Sequence, residues 1–176
     1  EPGGRLKAAQ IAGNISLAAA RLESPDSYRG PESVRVVWTA YRALCNRLGV
    51  LDFDSLITET VNHLSRDVKE LEKARLDSSW LLVDEFQDVN PAQYALVRLL
   101  AGLSGEGLFV IGDPNQSIYA FRGATPDVFD RLRTDYPEAR IMTLDTNYRC
   151  CPVVSRASAA LIEAGGSPWS APESAG

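Results

Sequence analysis

The sequence predicts an α/β fold, a parallel sheet flanked by helices and preceded by a helical segment. Three observations carry that prediction. Two apolar runs, Trp80-Leu81-Leu82-Val83 and Leu108-Phe109-Val110-Ile111, show no polar alternation, and each stops in acid, at Asp84-Glu85 and at Gly112-Asp113. Such runs suit strands buried on both faces, as in a sheet covered by helices. Between them, Asn90-Pro91 supplies a cap and a first-turn proline, residues 92–101 carry apolar side chains at helical spacing, and Gly102 closes the helix. A third run, Ala139 to Leu144, ends at Asp145 and completes a β-α-β-α-β unit, for which right-handed crossovers and a parallel sheet are the strong default.

The other elements follow from local signals. Leu6, Ile11, Ile15, Ala18, Ala19 and Leu22 form a helical stripe with a polar far face. The chain enters that stripe almost at once, from Glu1 and without a methionine, and so reads as a segment of something longer. Residues 24–32, with Pro25, Gly30 and Pro31, predict a loop, and Ser33 is placed to cap a second helix that ends at Gly49. On that helix Trp38 and Tyr41 offer either a nucleotide-stacking pair or core, and their spacing favours core. Leu51-Asp52-Phe53-Asp54 starts a third helix carrying Leu56, Ile57, Val61, Leu64 and Val68, and the mixed charges of residues 69–75 read as a solvated face or a charged turn. Thr125-Pro126 opens a helix to about Tyr136, and Pro152 opens a last one to about Ala164. Residues 165–176, rich in Gly, Ser and Pro, read as a disordered tail.

Composition narrows the function. A chain of 176 residues, 45% hydrophobic, can bury a globular core. Its net charge of -5 argues against holding nucleic acid by bulk charge, so any such contact must come from local geometry and stacking. No stretch approaches the roughly 20 apolar residues of a membrane helix, and no basic-then-apolar leader opens the chain, so the sequence reads as cytoplasmic with no membrane partner. Cys45, Cys150 and Cys151 lack paired CxxC spacing and read as reduced thiols.

The chemistry is expected at the strand tips. Parallel strands bring their carboxyl ends to one edge, which places Asp84 and Asp113 together with Glu85 beside them. Paired carboxylates suit a hard cation such as Mg²⁺, which is usually held by one or two carboxylates together with substrate phosphates. A third acid can orient or deprotonate a water, as hydrolysis of a phosphoanhydride requires. Turns favour Asp in any case, but two acid-tipped strands followed by polar turns favour the metal reading. The turn after Asp113 adds Gln116, Ser117, Tyr119, Phe121 and Arg122, a set able to touch phosphate at one end and a stacked base at the other.

Val83-Asp84-Glu85-Phe86-Gln87-Asp88, the stretch from Gly112 to Ala124, and Leu144-Asp145-Thr146-Asn147-Tyr148-Arg149 resemble, in order and rough spacing, motifs II, III and IV of the UvrD/Rep-type superfamily 1 DNA helicases. Leu51-Asp52-Phe53-Asp54-Ser55-Leu56 is similar to the segment by which that family returns from its helical insertion to the first motor domain. The resemblance implies part of a RecA-like P-loop NTPase domain. Residues 1–50 would end the insertion subdomain, 51–149 would form the second half of the first motor domain, and 150–164 would enter the second. It further implies ATP and Mg²⁺ as cofactors, and single-stranded DNA and duplex junctions as partners, with 3′ to 5′ translocation and unwinding. Asp84 would bind the metal with Asp113 nearby, Glu85 would position the attacking water, Gln87 would couple the nucleotide site to movement, and Gln116 would sense the terminal phosphate. Arg149 would stabilise charge on the transferring phosphoryl group and Tyr148 would stack on adenine. Tyr119 and Phe121 would stack on DNA bases at roughly 1–3 kcal/mol per base, with Arg122 linking DNA to the nucleotide loop. Where Phe121 stands the family often has tryptophan.

Departures from the family matter too. No G-x-x-x-x-G-K-[ST] loop is present, since none of the three lysines, Lys7, Lys69 and Lys73, follows a glycine, and the family's later motifs are missing. The chain therefore reads as the middle of a helicase, to be completed by the remainder of that chain or by a partner, with negligible turnover expected in isolation. An unpaired sheet edge is expected where the missing strand would lie. Two other classes stay open: a non-catalytic single-stranded-DNA-binding or protein-docking module using Tyr119, Phe121 and Arg122, and a metal-dependent nuclease. The nuclease is weakest, because the turns after both acidic tips offer no lysine or histidine.

Overall fold

The computed structural model describes residues 7–119, 123–125 and 127–165 and the backbone of residues 173 and 174. Four helices come first: α1 (Ala8–Ala20), α2 (Glu32–Leu48), α3 (Phe53–Arg66) and α4 (Val68–Asp77). Strand β1 (Leu81–Val83), helix α5 (Pro91–Ala101), strand β2 (Leu108–Val110) and helix α6 (Val128–Asp135) follow. The two-residue strand β3 (Thr146–Asn147), helix α7 (Pro152–Ala164) and strand β4 (Glu173–Ser174) complete the described chain. Helices predominate, around a small sheet in which β1 pairs in parallel with β2, Leu81 opposite Leu108 and Val83 opposite Val110.

Helix boundaries follow side-chain chemistry where a cap is present. Asn90 and Gln93 form a reciprocal capping box at α5, with Pro91 in the first turn, and Gly102 leaves the helix at a φ of 68°. Asp52 accepts from the backbone N–H of Ser55 to start α3, and Gly49 ends α2 in the left-handed conformation. The structure departs from expectation at α2, which begins at Glu32 behind Pro31 with no side-chain cap, so Ser33 lies inside the helix. It also departs at residues 69–75, which are helical throughout in α4, because Asp67 accepts from the N–H groups of Lys69 and Glu70 and nucleates the turn. No residue of α4 is buried, as a solvated face requires.

Two clusters make the core. Phe86, Val89, Tyr94 and Val128 pack with Val83, Val110, Phe129 and Leu132 under the sheet. Ala18, Ala19 and Trp38 pack with Ile15 and Tyr28 in the helical segment, where Tyr28 and Trp38 meet edge to face. Trp38 is thus core, whereas Tyr41 is partly exposed and its hydroxyl engages Asp52, which with Cys45 and partial burial raises the tyrosine pKa. Helix α1 contacts α2, α3 and α5, so the helical segment rests against the α/β half.

The expected third strand does not form. Residues 141–145 carry no regular structure and no ladder partner, and Ile141, Met142 and Leu144 are exposed, because a strand requires a neighbour that the described residues do not provide. Among the described residues the only pairing nearby is β3 with β4, in parallel, which places Glu173 and Ser174 in a ladder within the stretch read as a tail; the remainder of 166–176 lies outside the described residues. Nor are β1 and β2 buried on both faces: Leu82 is 71% and Phe109 55% exposed. With two strands in the sheet, one face stays open.

Candidate functional site

The two acid-tipped turns are held together by one side chain. Beyond β1 the chain enters Asp84-Glu85 and then a 3-10 turn, Phe86–Asp88. Phe86 is fully buried, edge to face with Tyr94 and Phe129 at 6.2 and 5.3 Å between ring centres, and anchors the turn in the core. Buried Gln87 then reaches both ways. Its Nε2 donates to Glu85 Oε2 at 2.6 Å, and its Oε1 accepts from the backbone N–H of Asp113 at 2.9 Å. Ser117 Oγ donates to the Gln87 carbonyl at 3.2 Å, and the Phe86 N–H donates to the Ile111 carbonyl at 3.0 Å. Glu85 itself adopts the left-handed conformation, φ 50°, which turns its side chain back toward Gln87.

The turn after β2 is equally specified. Asp113 caps a second 3-10 turn, Pro114–Gln116, its Oδ1 accepting from the Asn115 N–H at 2.9 Å and its Oδ2 from Gln116 Nε2 at 2.7 Å. Gly112 is required here, since a Cβ would lie 2.4 Å from Gln87 Oε1 and 2.9 Å from the Phe86 nitrogen. Tyr119 is half-buried, and its carbonyl accepts from the Ala124 N–H at 3.3 Å, closing the loop. Gly123, at φ 87°, brings that loop against α1, where an added Cβ would lie 3.0 Å from the Cβ of Ala20. Phe121 and Arg122, expected to contact DNA, lie outside the described residues, as does Pro126.

The structure thus joins Glu85, Gln87, Asp113 and Gln116 in one hydrogen-bonded set with Asp84 at its edge. Asp84 is exposed, its Oδ1 accepting from the Glu85 N–H at 2.8 Å. That suits a cation holding most of its waters, for which one carboxylate is sufficient when phosphates supply other ligands. Both Asp113 oxygens accept hydrogen bonds from within their own turn. Among the described residues no group of three or more His, Cys, Asp or Glu side chains is placed to hold a metal ion. Among the described residues, Tyr148 and Arg149 make no hydrogen bond or ion pair with the acidic tips. Tyr148 is 86% exposed, and Asn147 Oδ1 accepts from the N–H groups of Arg149 and Cys150, fixing their turn.

Sequence reasoning missed the tie from Ser117 to Gln87 and the role of Asn147, whose side chain accepts from the N–H groups two and three residues on, an Asx turn that Asn commonly forms. It also missed that Asp88 Oδ1 is buried without a hydrogen-bond partner among the described residues.

The chain is similar to known proteins over most of its length. The chain is 39% identical over 139 residues to DNA helicase II of Salmonella typhimurium, covering 78% of this chain and 19% of that protein. It is 38% identical to DNA helicase II of Escherichia coli over the same length, and 38% identical over 146 residues to the ATP-dependent DNA helicase PcrA of Staphylococcus aureus, 83% of this chain and 20% of PcrA. The chain spans about a fifth of the length of these relatives. Residues 8–137 match the UvrD/REP helicase N-terminal domain. With that match over most of its length, and with the acidic turns linked through Gln87, the chain belongs to the UvrD/REP helicase family.

Proposed function

We propose that this chain is the centre of a motor that hydrolyses ATP to move 3′ to 5′ along single-stranded DNA and open duplex. The observation that carries the reading is Gln87, one buried amide bonded to the carboxylate of Glu85 and to the backbone of Asp113. In this reading residues 1–50 end an inserted helical subdomain, 51–149 form the second half of a RecA-like motor domain, and 150–164 lead into a second one. The nucleotide's phosphate loop belongs to other parts of the protein.

Within the site, Asp84 would hold Mg²⁺, with Asp113, at the tip of the neighbouring strand, as the other candidate carboxylate. Bound Mg²⁺ would offset charge on the phosphates during hydrolysis. Glu85 orients the attacking water and accepts its proton, and the Gln87 amide keeps that carboxylate aimed while leaving its other oxygen free. Gln116 reports the terminal phosphate to the loop that carries Tyr119, Phe121 and Arg122, whose rings stack on DNA bases. Tyr148 and Arg149 form the opposing wall of the cleft, Tyr148 against adenine and Arg149 against the transferring phosphoryl group.

The test is DNA-stimulated ATP hydrolysis by the full-length protein. Glu85→Gln should lower turnover at least 100-fold while single-stranded DNA binding stays within threefold of the parent. Turnover above one tenth of the parent rate would overturn the assignment. The isolated 176-residue chain should show no ATP hydrolysis above its own Asp84→Asn variant.

A further inference from the structure

A groove of about 970 Å³ runs between α3, α4, α5 and α6, away from the acidic tips. Four arginines line it, Arg21, Arg75, Arg98 and Arg131, against two aspartates, Asp130 and Asp135. Both aspartates are engaged. Asp135 pairs with Arg98 and accepts from the Tyr94 hydroxyl at 2.6 Å, and Asp130 lies 3.8 Å from Arg133. Arg21, Arg75 and Arg131 make no ion pair among the described residues. In a chain of net charge -5, the groove is a local concentration of positive charge.

Its shape argues for peptide rather than nucleic acid. Arg131 lies over the ring of Tyr94 at 4.9 Å, and Tyr94 is buried, so that ring presents no open face for a base to stack on. The rim is aliphatic instead, with Leu103 89% and Leu22 39% exposed. The floor is fixed, since Arg75 Nε donates to the Leu99 carbonyl at 2.8 Å and Tyr136 donates to the Gly102 carbonyl at 2.9 Å. A fixed basic floor under a leucine rim is complementary to an acidic segment carrying aliphatic anchors.

We propose that this groove docks an acidic, leucine-bearing segment of a partner protein. The test uses the full-length protein and a fluorescein-labelled 15-residue peptide of glutamates with leucines at helical spacing, followed by anisotropy. The wild type should bind it, and 0.5 M NaCl should weaken binding at least tenfold, a readout no folding defect can mimic. Arg21→Glu with Arg131→Glu should weaken binding at least tenfold, and the same double variant should instead bind a lysine-leucine peptide. Leu103→Asp should weaken the glutamate-leucine peptide at least fivefold. Absence of wild-type binding, salt-insensitive binding, or affinity within twofold in both sets of variants would overturn the proposal. Displacement of the peptide by a 15-nucleotide oligothymidylate would also overturn it, in favour of a nucleic-acid surface.

Discussion

Gly112 and Gln87 define the tolerance of the site at the level of single residues. The Gln87 carboxamide fills the volume a Cβ at position 112 would need, and the backbone nitrogen of Phe86 on the other side cannot retreat without breaking its bond to Ile111. Gly112→Ala is therefore expected to cost about 1–3 kcal/mol, the usual range for overpacking, read as a lower urea midpoint at unchanged slope. In a Gln87→Ala background the added penalty should shrink, because the nearest atom has gone, and a double-mutant cycle measures that coupling. The acids and amides of this site were legible in the sequence because turn chemistry is local. The bond from Gln87 to Asp113 was not, since it joins positions 26 apart whose meeting depends on the register of β1 with β2.

Among the elements, α5 and α6 are joined by a charged pair with a phenol on it. The Arg98 guanidinium, and next the Tyr94 hydroxyl, hold the Asp135 carboxyl below the usual carboxylate range, while burial and the adjacent carboxylate push the Tyr94 hydroxyl upward. Because the folded value is depressed, the stabilisation is fully present above the unfolded value of about 3.9 and is lost as pH falls through the lower folded value. Asp135→Asn should cost about 1–3 kcal/mol at neutral pH, the scale of a hydrogen bond to a charged group, and should flatten the fall in melting temperature below about pH 4. An acid limb identical to the parent's would refute this. Elements with caps, such as α5 between Asn90 and Gly102, could be read from sequence. The run from Ala139 to Leu144 could not, because its apolar pattern records a preference for pairing and leaves the partner unspecified. Residues 69–75 were ambiguous for a related reason: a helix with no buried residue has no apolar stripe to announce it.

The whole molecule leaves much apolar surface uncovered. Leu82 and Phe109 lie on the open face of the sheet, Phe53 is 90% exposed at the start of α3, and Leu48, Val50 and Leu51 are exposed just before it. Monomers seldom carry such patches unpartnered, and unpaired strand edges invite association. The isolated chain is expected to self-associate, seen as a weight-average mass that rises with concentration in sedimentation equilibrium. A constant 19.2 kDa across the range would contradict it. The left-handed backbone of Glu85 has a further consequence. A non-glycine residue there carries about 1–2 kcal/mol of conformational strain, so Glu85→Gly, which also loses the bond to buried Gln87, should come out close to neutral in thermal melting, where loss of such a bond alone would cost about 1–3 kcal/mol. A laboratory screen that rewards survival at high temperature alone would then exert no pressure to keep the acid at this position.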